Sequence, residues 1–273
     1  MPLLVVNSDP ERLWGKPLDP PDYLCFEFDE YQYKDNTKLC FTMPSTGVNT
    51  ITSISYSVNN GDSWTTIDSG FGTGYSNVIE IPVISGLKVL FKGEATSLNG
   101  AQFRLINLTS TWGDYPLIGN ISGNPMCLLY NDDFEDKVEF PENSNSNFKS
   151  LFEDYCGFFT FDGFKLPATK LTPNCYLSIF KYCRNMVKAP DLPALILPEK
   201  CYSYMFCACT KINYIKMMGE ALANGVSVGN TTSPFYKWGQ DAVGGGTLVI
   251  SKDAQFELPN GESGNLYWTV EEV

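Results

Sequence analysis

The amino-acid sequence predicts a mostly β fold with short helices, in which an antiparallel β-sandwich precedes a short repeat solenoid that ends in a β cap. Two observations support this fold class. Residues 22–118 contain seven short runs rich in β-branched and aromatic residues, spaced about 10 residues apart and separated by turn-forming residues. In residues 119–218, a segment that begins at Leu166 recurs from Leu192, and a repeat of this length is typical of a solenoid.

The predicted sandwich contains one motif that is associated with enzymes. The string SVNNGDSW places Ser57, Asn59, Gly61 and Trp64 at the spacing of an Asp-box, a turn that recurs in sialidase propellers, although Asn59 stands in the Asp position. An Asn-Gly pair favours the positive φ angles of a tight hairpin. Because the motif occurs once and lies at a turn, we interpret it as a hairpin and not as a catalytic element.

The repeat has two full copies, which begin at Leu166 and at Leu192. Both copies follow the unit LPA-x(2)-L-x(3)-CY-x(2)-[IM]F-x(2)-C, and a degraded earlier copy is visible in SLFEDYC. The recurring positions predict the core of the repeat module, which consists of Cys156, Cys175, Phe180, Cys183, Cys201, Phe206 and Cys209.

The repeat offers a structural role for the clustered cysteines. Equivalent residues of successive coils stack about 5 Å apart, so Cys175 is expected beside Cys201, and Cys156, Cys183 and Cys209 are expected to form a ladder. Stacked pairs are close enough for disulfides, but a reducing compartment favours thiols. A zinc site or a nucleophile is the alternative, which we disfavour because the cysteines lack the paired knuckles of a zinc site.

Each repeat is also expected to contain a short strand, near VKAPD or NYIKM, and a short helix around NCYLSIFKYC. Four tyrosines are not assigned to the core by this pattern: Tyr176, Tyr182, Tyr202 and Tyr204. They are either caps of the core or an exposed, ligand-facing patch that stacks on sugars or anchors protein contacts.

The two ends of the chain have different characters. Residues 1–21 are rich in proline and predict an extended arm, because proline fixes φ and removes a backbone donor. The arm carries five large apolar residues, which either pack on its own domain or dock on a partner: Leu3, Leu4, Val5, Val6 and Trp14. Residues 219–273 contain two strand-like runs, GTLVIS and LYWTV, and are expected to cap the open end of the solenoid.

Composition narrows the possible functions. The net charge of −12 argues against nucleic-acid binding, and the complete absence of histidine removes the commonest general base and every His-containing metal site. No apolar run is long enough for a membrane span or for the core of a secretory signal, so we expect synthesis in the cytoplasm without membrane insertion. We expect no cofactor, no metal and no enzymatic activity.

The repeat unit resembles the treponemal-type, or BspA-like, leucine-rich repeats. The resemblance extends to GNISGNPMCLLYNDDF upstream, to the closing YWTVEEV, and more loosely to the β-rich segment from YSVNNGDSWTTI to FKGEA. It implies an immunoglobulin-like β-sandwich (residues 22–118), a leucine-rich-repeat module (119–218) and a C-terminal cap (219–273). Proteins of this kind are surface proteins of gut anaerobes and virion proteins of their phages, and they are associated with binding.

The resemblance implies a non-enzymatic structural or adhesion protein of a phage virion, such as a fibre, a capsid decoration or a tail component. In this hypothesis the arm binds other virion proteins, the repeat module recognises a glycan or protein of the host surface, and the chain forms a homo-oligomer. The alternative is a bacterial cell-surface leucine-rich-repeat adhesin. A weaker alternative is a glycan-active enzyme, because two-carboxylate glycoside hydrolysis needs no histidine.

Overall fold

The computed structural model describes residues 22–30, 36–43, 50–71, 76–108, 116–154, 156–242, 245–257 and 268–273. The arm residues singled out above, Leu3, Leu4, Val5, Val6 and Trp14, lie outside the described residues. Within those ranges the fold is mostly β, as predicted.

The described residues form short strands and one short helix. The elements are β1 (Leu24–Phe28), β2 (Lys38–Met43), β3 (Ile51–Ser57), β4 (Thr65–Ile67), β5 (Ser76–Pro82), β6 (Lys88–Ala95), β7 (Gln102–Ile106), β8 (Gly119–Ser122), α1 (Cys127–Tyr130), β9 (Phe159–Thr160), β10 (Ile196–Leu197), β11 (Tyr214–Met217), β12 (Ala221–Leu222), β13 (Thr247–Ile250) and β14 (Thr269–Glu272). The helix α1 is a single turn, so no described helix could traverse a bilayer.

Each of the seven predicted runs of the N-terminal half forms a strand, β1 to β7. They divide between one sheet in the order β4-β3-β6-β1-β8-β9 and a second in the order β5-β2-β7. In strands such as β5 and β7, the alternation of apolar and polar residues buries one face, whereas β2 is buried on both faces. The buried faces meet at Phe103 of β7, whose ring centroid lies 4.8 Å from that of Phe26 and 4.7 Å from that of Phe91.

The first sheet continues beyond residue 118, the end of the predicted sandwich. Strand β8 pairs antiparallel with β1, and β9 then pairs parallel with β8. Hydrogen bonds also join β7 and the loop that precedes it to the region of the repeats, from Leu98 N to Asn147 O (3.0 Å) and from Phe103 N to Leu151 O (2.9 Å). The N-terminal sheets and the repeats therefore share both a sheet and a core.

The repeats themselves are built from stacked turns. In the first full copy, alternate backbone N–H groups donate to the next coil, as in the bonds from Tyr176 N to Cys201 O (3.1 Å) and from Ser178 N to Ser203 O (2.9 Å). The intervening N–H groups close local turns, for example from Ile179 N to Tyr176 O (3.1 Å). This division satisfies the backbone within each coil and between coils.

The predicted helix around NCYLSIFKYC is wrong. Every fourth residue there has a left-handed backbone, with φ of 58° at Asn174, 58° at Ser178 and 65° at Tyr182. A left-handed residue cannot continue an α-helix, and the amides that donate hydrogen bonds to the next coil are not available for helical hydrogen bonds. The apolar spacing that resembled a helical stripe arises from the period of these turns.

The phenylalanines of the repeats form a continuous ladder with the second sheet. The rings of Phe152, Phe180 and Phe206 are nearly parallel, with centroids 6.0 Å apart at each step, and Phe152 lies 6.0 Å from Phe103. Equivalent side chains thus stack from coil to coil, and the parallel strands elsewhere form several small sheets and not one continuous sheet.

The buried cysteines accompany this ladder as free thiols. The Sγ atom of Cys183 donates to Phe152 O at 3.4 Å, that of Cys209 to Phe180 O at 3.0 Å, and that of Cys156 to Phe103 O at 3.6 Å. Cys175 and Cys201 occupy equivalent buried positions on adjacent coils. Burial raises the pKa of all these thiols, so the neutral form that serves as a weak donor is favoured.

The structure contains a third copy of the turns that lies within the predicted cap. Tyr202 N donates to Pro234 O (3.1 Å) and Phe206 N donates to Trp238 O (2.7 Å), so residues 233–242 stack on the second full copy. Beyond it, β13 and β14 pair parallel to β11 in the order β11-β13-β14. The C-terminal residues thus add one further coil and two strands to the stack.

Candidate functional site

The four candidate tyrosines divide into a buried pair and a surface pair. Tyr176 and Tyr202 are 1% and 0% exposed, and their rings stack with centroids 6.2 Å apart between those of Phe148 and Phe235. Of the two alternatives given for these tyrosines, burial places this pair in the core and not in a ligand-facing patch. Both are core residues because they point along the interior ladder, and Tyr182 and Tyr204 lie half-buried on the outer side of the turns.

The buried pair gives a first testable prediction. Neither hydroxyl oxygen has a hydrogen-bond partner among the described residues, and each is shielded from solvent. An unsatisfied buried hydroxyl costs about 1–3 kcal/mol, so Tyr176→Phe and Tyr202→Phe should leave the free energy of unfolding unchanged or raise it. Urea titration followed by circular dichroism measures the change.

Tyr130→Phe is the matched control for these two variants. Its hydroxyl donates to Glu139 O at 2.9 Å, so its loss should lower the free energy of unfolding by about 1 kcal/mol. A comparable decrease in Tyr176→Phe or Tyr202→Phe would contradict the assignment of their hydroxyls as unsatisfied.

The outer surface of the turns carries a continuous group of rings and cations, which we call the tyrosine strip. It consists of Lys181, Tyr182, Arg184, Tyr204, Tyr236 and Lys237. The strip crosses from the first full copy to the third, because Tyr204 N donates to Tyr236 O (2.9 Å) and Tyr182 N donates to Cys207 O (2.9 Å). The stacking of turns thus brings together residues from positions 181 to 237.

Cations lie over the rings of the strip at cation–π distances. The Nζ atom of Lys181 is 5.1 Å from the centroid of Tyr182 and 5.7 Å from that of Tyr204. Lys237 Nζ lies 5.8 Å from the centroid of Tyr204 and 5.6 Å from that of Tyr236, whose ring meets Tyr204 edge to face at 5.4 Å. These contacts fix the orientation of half-buried rings without covering them completely.

One cation of the strip, Lys181, is held in place by a carboxylate. Lys181 Nζ lies 2.7 Å from Glu153 Oε1, and their side chains are 24% and 20% exposed. Partial burial lowers the pKa of Lys181, but the hydrogen bond and charge of Glu153 outweigh it, so the pKa is raised and Lys181 stays cationic. Burial and the bond to Tyr236 raise the pKa of Tyr204, which therefore stays neutral and able to donate.

This arrangement suits binding more than bond cleavage. Tyrosine rings offer apolar faces for the C–H surface of a sugar or for an apolar side chain, and the hydroxyl and ammonium groups offer donors at the edges. A thiol nucleophile would need a lowered pKa, but burial raises the pKa of neighbouring Cys207. In the described part of the chain, no group of three or more Cys, Asp or Glu residues is arranged to hold a metal ion.

The Asp-box-like segment forms the connection between the antiparallel strands β3 and β4. Ser57 Oγ accepts from Gly61 N (2.9 Å), and Asn59 Oδ1 accepts from Ser63 N (3.1 Å), so its polar groups are used within the turn. Trp64 leaves the turn to pack near Lys92, whose Nζ lies 4.5 Å from its ring centroid. These contacts explain the sequence of the motif as turn chemistry.

A concave feature of the repeats, which we call the interstrand groove, shares no residue with the tyrosine strip. It has a volume of about 430 Å³ and is lined by residues 161–167 and by residues from 188 to 193. Its apolar walls include Leu166 and Ala189, and its rim carries exposed charges of both signs.

Sequence reasoning found Tyr182 and Tyr204 but missed the other members of the strip. The buried Tyr176 and Tyr202 are separated by one repeat period, whereas the next equivalent step, from Tyr202 to Phe235, is longer. The extra residues between the second full copy and the third conceal the third copy from a fixed-period search. The string SPFYKWGQD contains a cluster of aromatic residues at a different spacing from the two full copies, and that cluster was the signal available.

None of the known protein-family models matches this chain, and neither the curated proteins nor the solved structures include a significant match. What is shown is a mostly β protein whose stacked turns present a half-buried strip of tyrosines and cations.

Proposed function

We propose that this chain is a non-enzymatic structural or adhesion protein of a phage virion, which displays its stacked repeats for binding to a glycan or protein of the host surface. The observation that carries the proposal is the tyrosine strip, because rings oriented by cations on a rigid stack form a preorganised binding surface. The particle would carry the chain as a fibre, capsid decoration or tail component, in a homo-oligomer attached through its N-terminal arm.

The fold supports the proposal by analogy. We infer that β1 to β7 form an immunoglobulin-like sandwich and that the stacked turns are a short, BspA-like leucine-rich-repeat module. The recurrence of LPA and CY segments and the coil-to-coil hydrogen bonds support this inference. A fold indicates a class of proteins and not a particular function, so the location and the binding activity are tested separately.

The location is tested by mass spectrometry of purified phage particles and of host surface fractions. The proposal expects peptides of this chain in particles at a fixed copy number. Their presence on cells alone would overturn the virion assignment and favour a bacterial surface adhesin.

The binding activity is tested with Tyr204→Ala in the full chain. Tyr204 contacts two cations and one ring of the strip, so its loss should weaken binding to host cells by about tenfold or more if the strip is the binding surface. Binding is measured by titrating labelled protein onto cells of a susceptible host.

Tyr214→Ala is the matched control for this experiment. Tyr214 has the same kind of cation contact, with Lys188 Nζ 5.1 Å from its centroid, but it lies on β11 and outside the strip. Its loss should leave binding unchanged. Equal affinities for Tyr204→Ala and the unmodified chain would remove the strip from the proposal.

A further inference from the structure

Among the described residues, the parallel pairing of the repeats is interrupted between residues 161–167 and residues 187–193. On one side of the interruption β8 pairs with β9 and Gly123 bridges Phe164; on the other, Lys188 bridges Tyr214. In the described part of the chain, no backbone hydrogen bond joins residues 161–167 to residues 187–193. Each segment is therefore paired on one side only, and the interstrand groove occupies the space between them.

The groove also contains unused backbone donors. The amides of Gly163, Leu166, Lys188 and Asp191 donate to no described residue. Leu166 is 3% exposed, and a buried backbone N–H without an acceptor is rare in folded proteins. An extended polypeptide fits such a place, because it offers carbonyl groups at strand spacing and side chains to the apolar walls.

The N-terminal arm begins at the rim of this groove. Asp22 is the first described residue, and its carboxylate lies 2.6 Å from Nζ of Lys165, which lines the groove. The backbone of Asp22 is also fixed, since its carbonyl accepts from Asn124 N at 2.9 Å. The preceding segment, 1–21, is thus tethered within side-chain reach of the groove.

The arm contains a segment suited to the groove. Leu3, Leu4, Val5 and Val6 form an uncharged, apolar run with strand-forming residues at its end. The intervening segment, 7–21, can span up to about 50 Å. This reach exceeds the distance from Asp22 to the interstrand groove, because Asp22 already contacts a residue that lines it. A tether of this length gives an effective concentration on the order of millimolar, which favours the groove of the same chain over that of a second copy.

We propose that residues 3–6 bind in the interstrand groove of the same chain, in extended conformation, with their carbonyls accepting from the unused amides of the groove. This proposal does not depend on the virion assignment or on the tyrosine strip. It implies that a partner that binds the arm must first displace it from the groove.

Hydrogen exchange measured by mass spectrometry on the full chain tests the proposal. The double variant Leu4→Asp, Val5→Asp places charges on the docking segment and should speed exchange at residues 161–166 and 187–191 by about tenfold or more, since docking would protect amides that otherwise have no acceptor. Exchange in β3 should stay the same. Leu18→Asp is the matched control, because it adds one charge to the arm outside the docking segment.

Three results would overturn the proposal. The first is equally fast exchange at the groove in the unmodified chain and in the double variant. The second is equal acceleration by Leu18→Asp. The third is an oligomer, detected by light scattering, that the double variant dissociates, since the arm would then occupy the groove of another copy.

Discussion

Phe180→Ala is expected to lower the free energy of unfolding by about 3–5 kcal/mol. Phe180 stacks between Phe152 and Phe206 with both centroids 6.0 Å away, and it contacts the edges of Phe161 at 5.0 Å and Phe164 at 5.7 Å. Its removal leaves a cavity that rings held on fixed coils cannot fill. Urea denaturation followed by circular dichroism gives the change.

The control for Phe180→Ala is Val187→Ala, on the same repeat copy. Val187 is 45% exposed, so its truncation should change the free energy of unfolding by no more than about 0.5 kcal/mol. A loss below about 1 kcal/mol for Phe180→Ala would contradict the continuous aromatic ladder, because it would mean that the site can collapse.

Gly123→Ala is expected to lower the free energy of unfolding by about 2–5 kcal/mol. Gly123 has a φ of 86°, and a Cβ atom there would lie 2.0 Å from Tyr23 O, a backbone atom that cannot rotate away. The substitution must therefore separate the chain entry at Tyr23 from the turn after β8. Thermal and urea denaturation both measure the loss.

Gly163→Ala separates the cost of backbone strain from the cost of the contact with Tyr23. Gly163 has a similar φ of 77°, but the nearest atom to an added Cβ is Ser122 Cβ at 3.8 Å. Only the backbone strain remains, and it should cost about 1–2 kcal/mol. Equal losses in the two alanine variants would show that the contact with Tyr23 relaxes without cost.

The strands of the N-terminal half were predictable because their evidence is local. A run such as LCFEF in β1 is rich in apolar residues, and the strand period of two places Leu24, Phe26 and Phe28 on one buried face. The pairing order of the sheets was not predictable from these runs. It depends on contacts between distant residues, such as those that place β8 beside β1.

The repeats show why a helical period can mislead. Residues such as Ile179, Phe180 and Cys183 are buried, as a helical stripe requires. The same spacing arises when every fourth residue is left-handed, and residues such as Ser178 and Tyr182 adopt this conformation without being glycine. Coil-to-coil hydrogen bonds select this backbone, and a single copy of the repeat does not contain that information.

The candidate site was only partly predictable for a related reason. Tyr176 and Tyr182 are both tyrosines of one repeat copy, but one belongs to the interior ladder and the other to the outer surface. The geometry of the turns determines which tyrosine points inward and which points outward, and the sequence alone did not indicate that geometry. The cations over the rings come from separate copies and meet only after stacking.

The hydrogen bonds between coils have a mechanical consequence. Bonds such as Tyr176 N to Cys201 O and Tyr202 N to Pro234 O join successive coils, so a force applied along the stack loads these rows of bonds in series. Under such a load the coils would open one after another, each releasing a length of chain while the next row still holds. A molecule built in this way is expected to lengthen in steps under tension and to absorb work at each step.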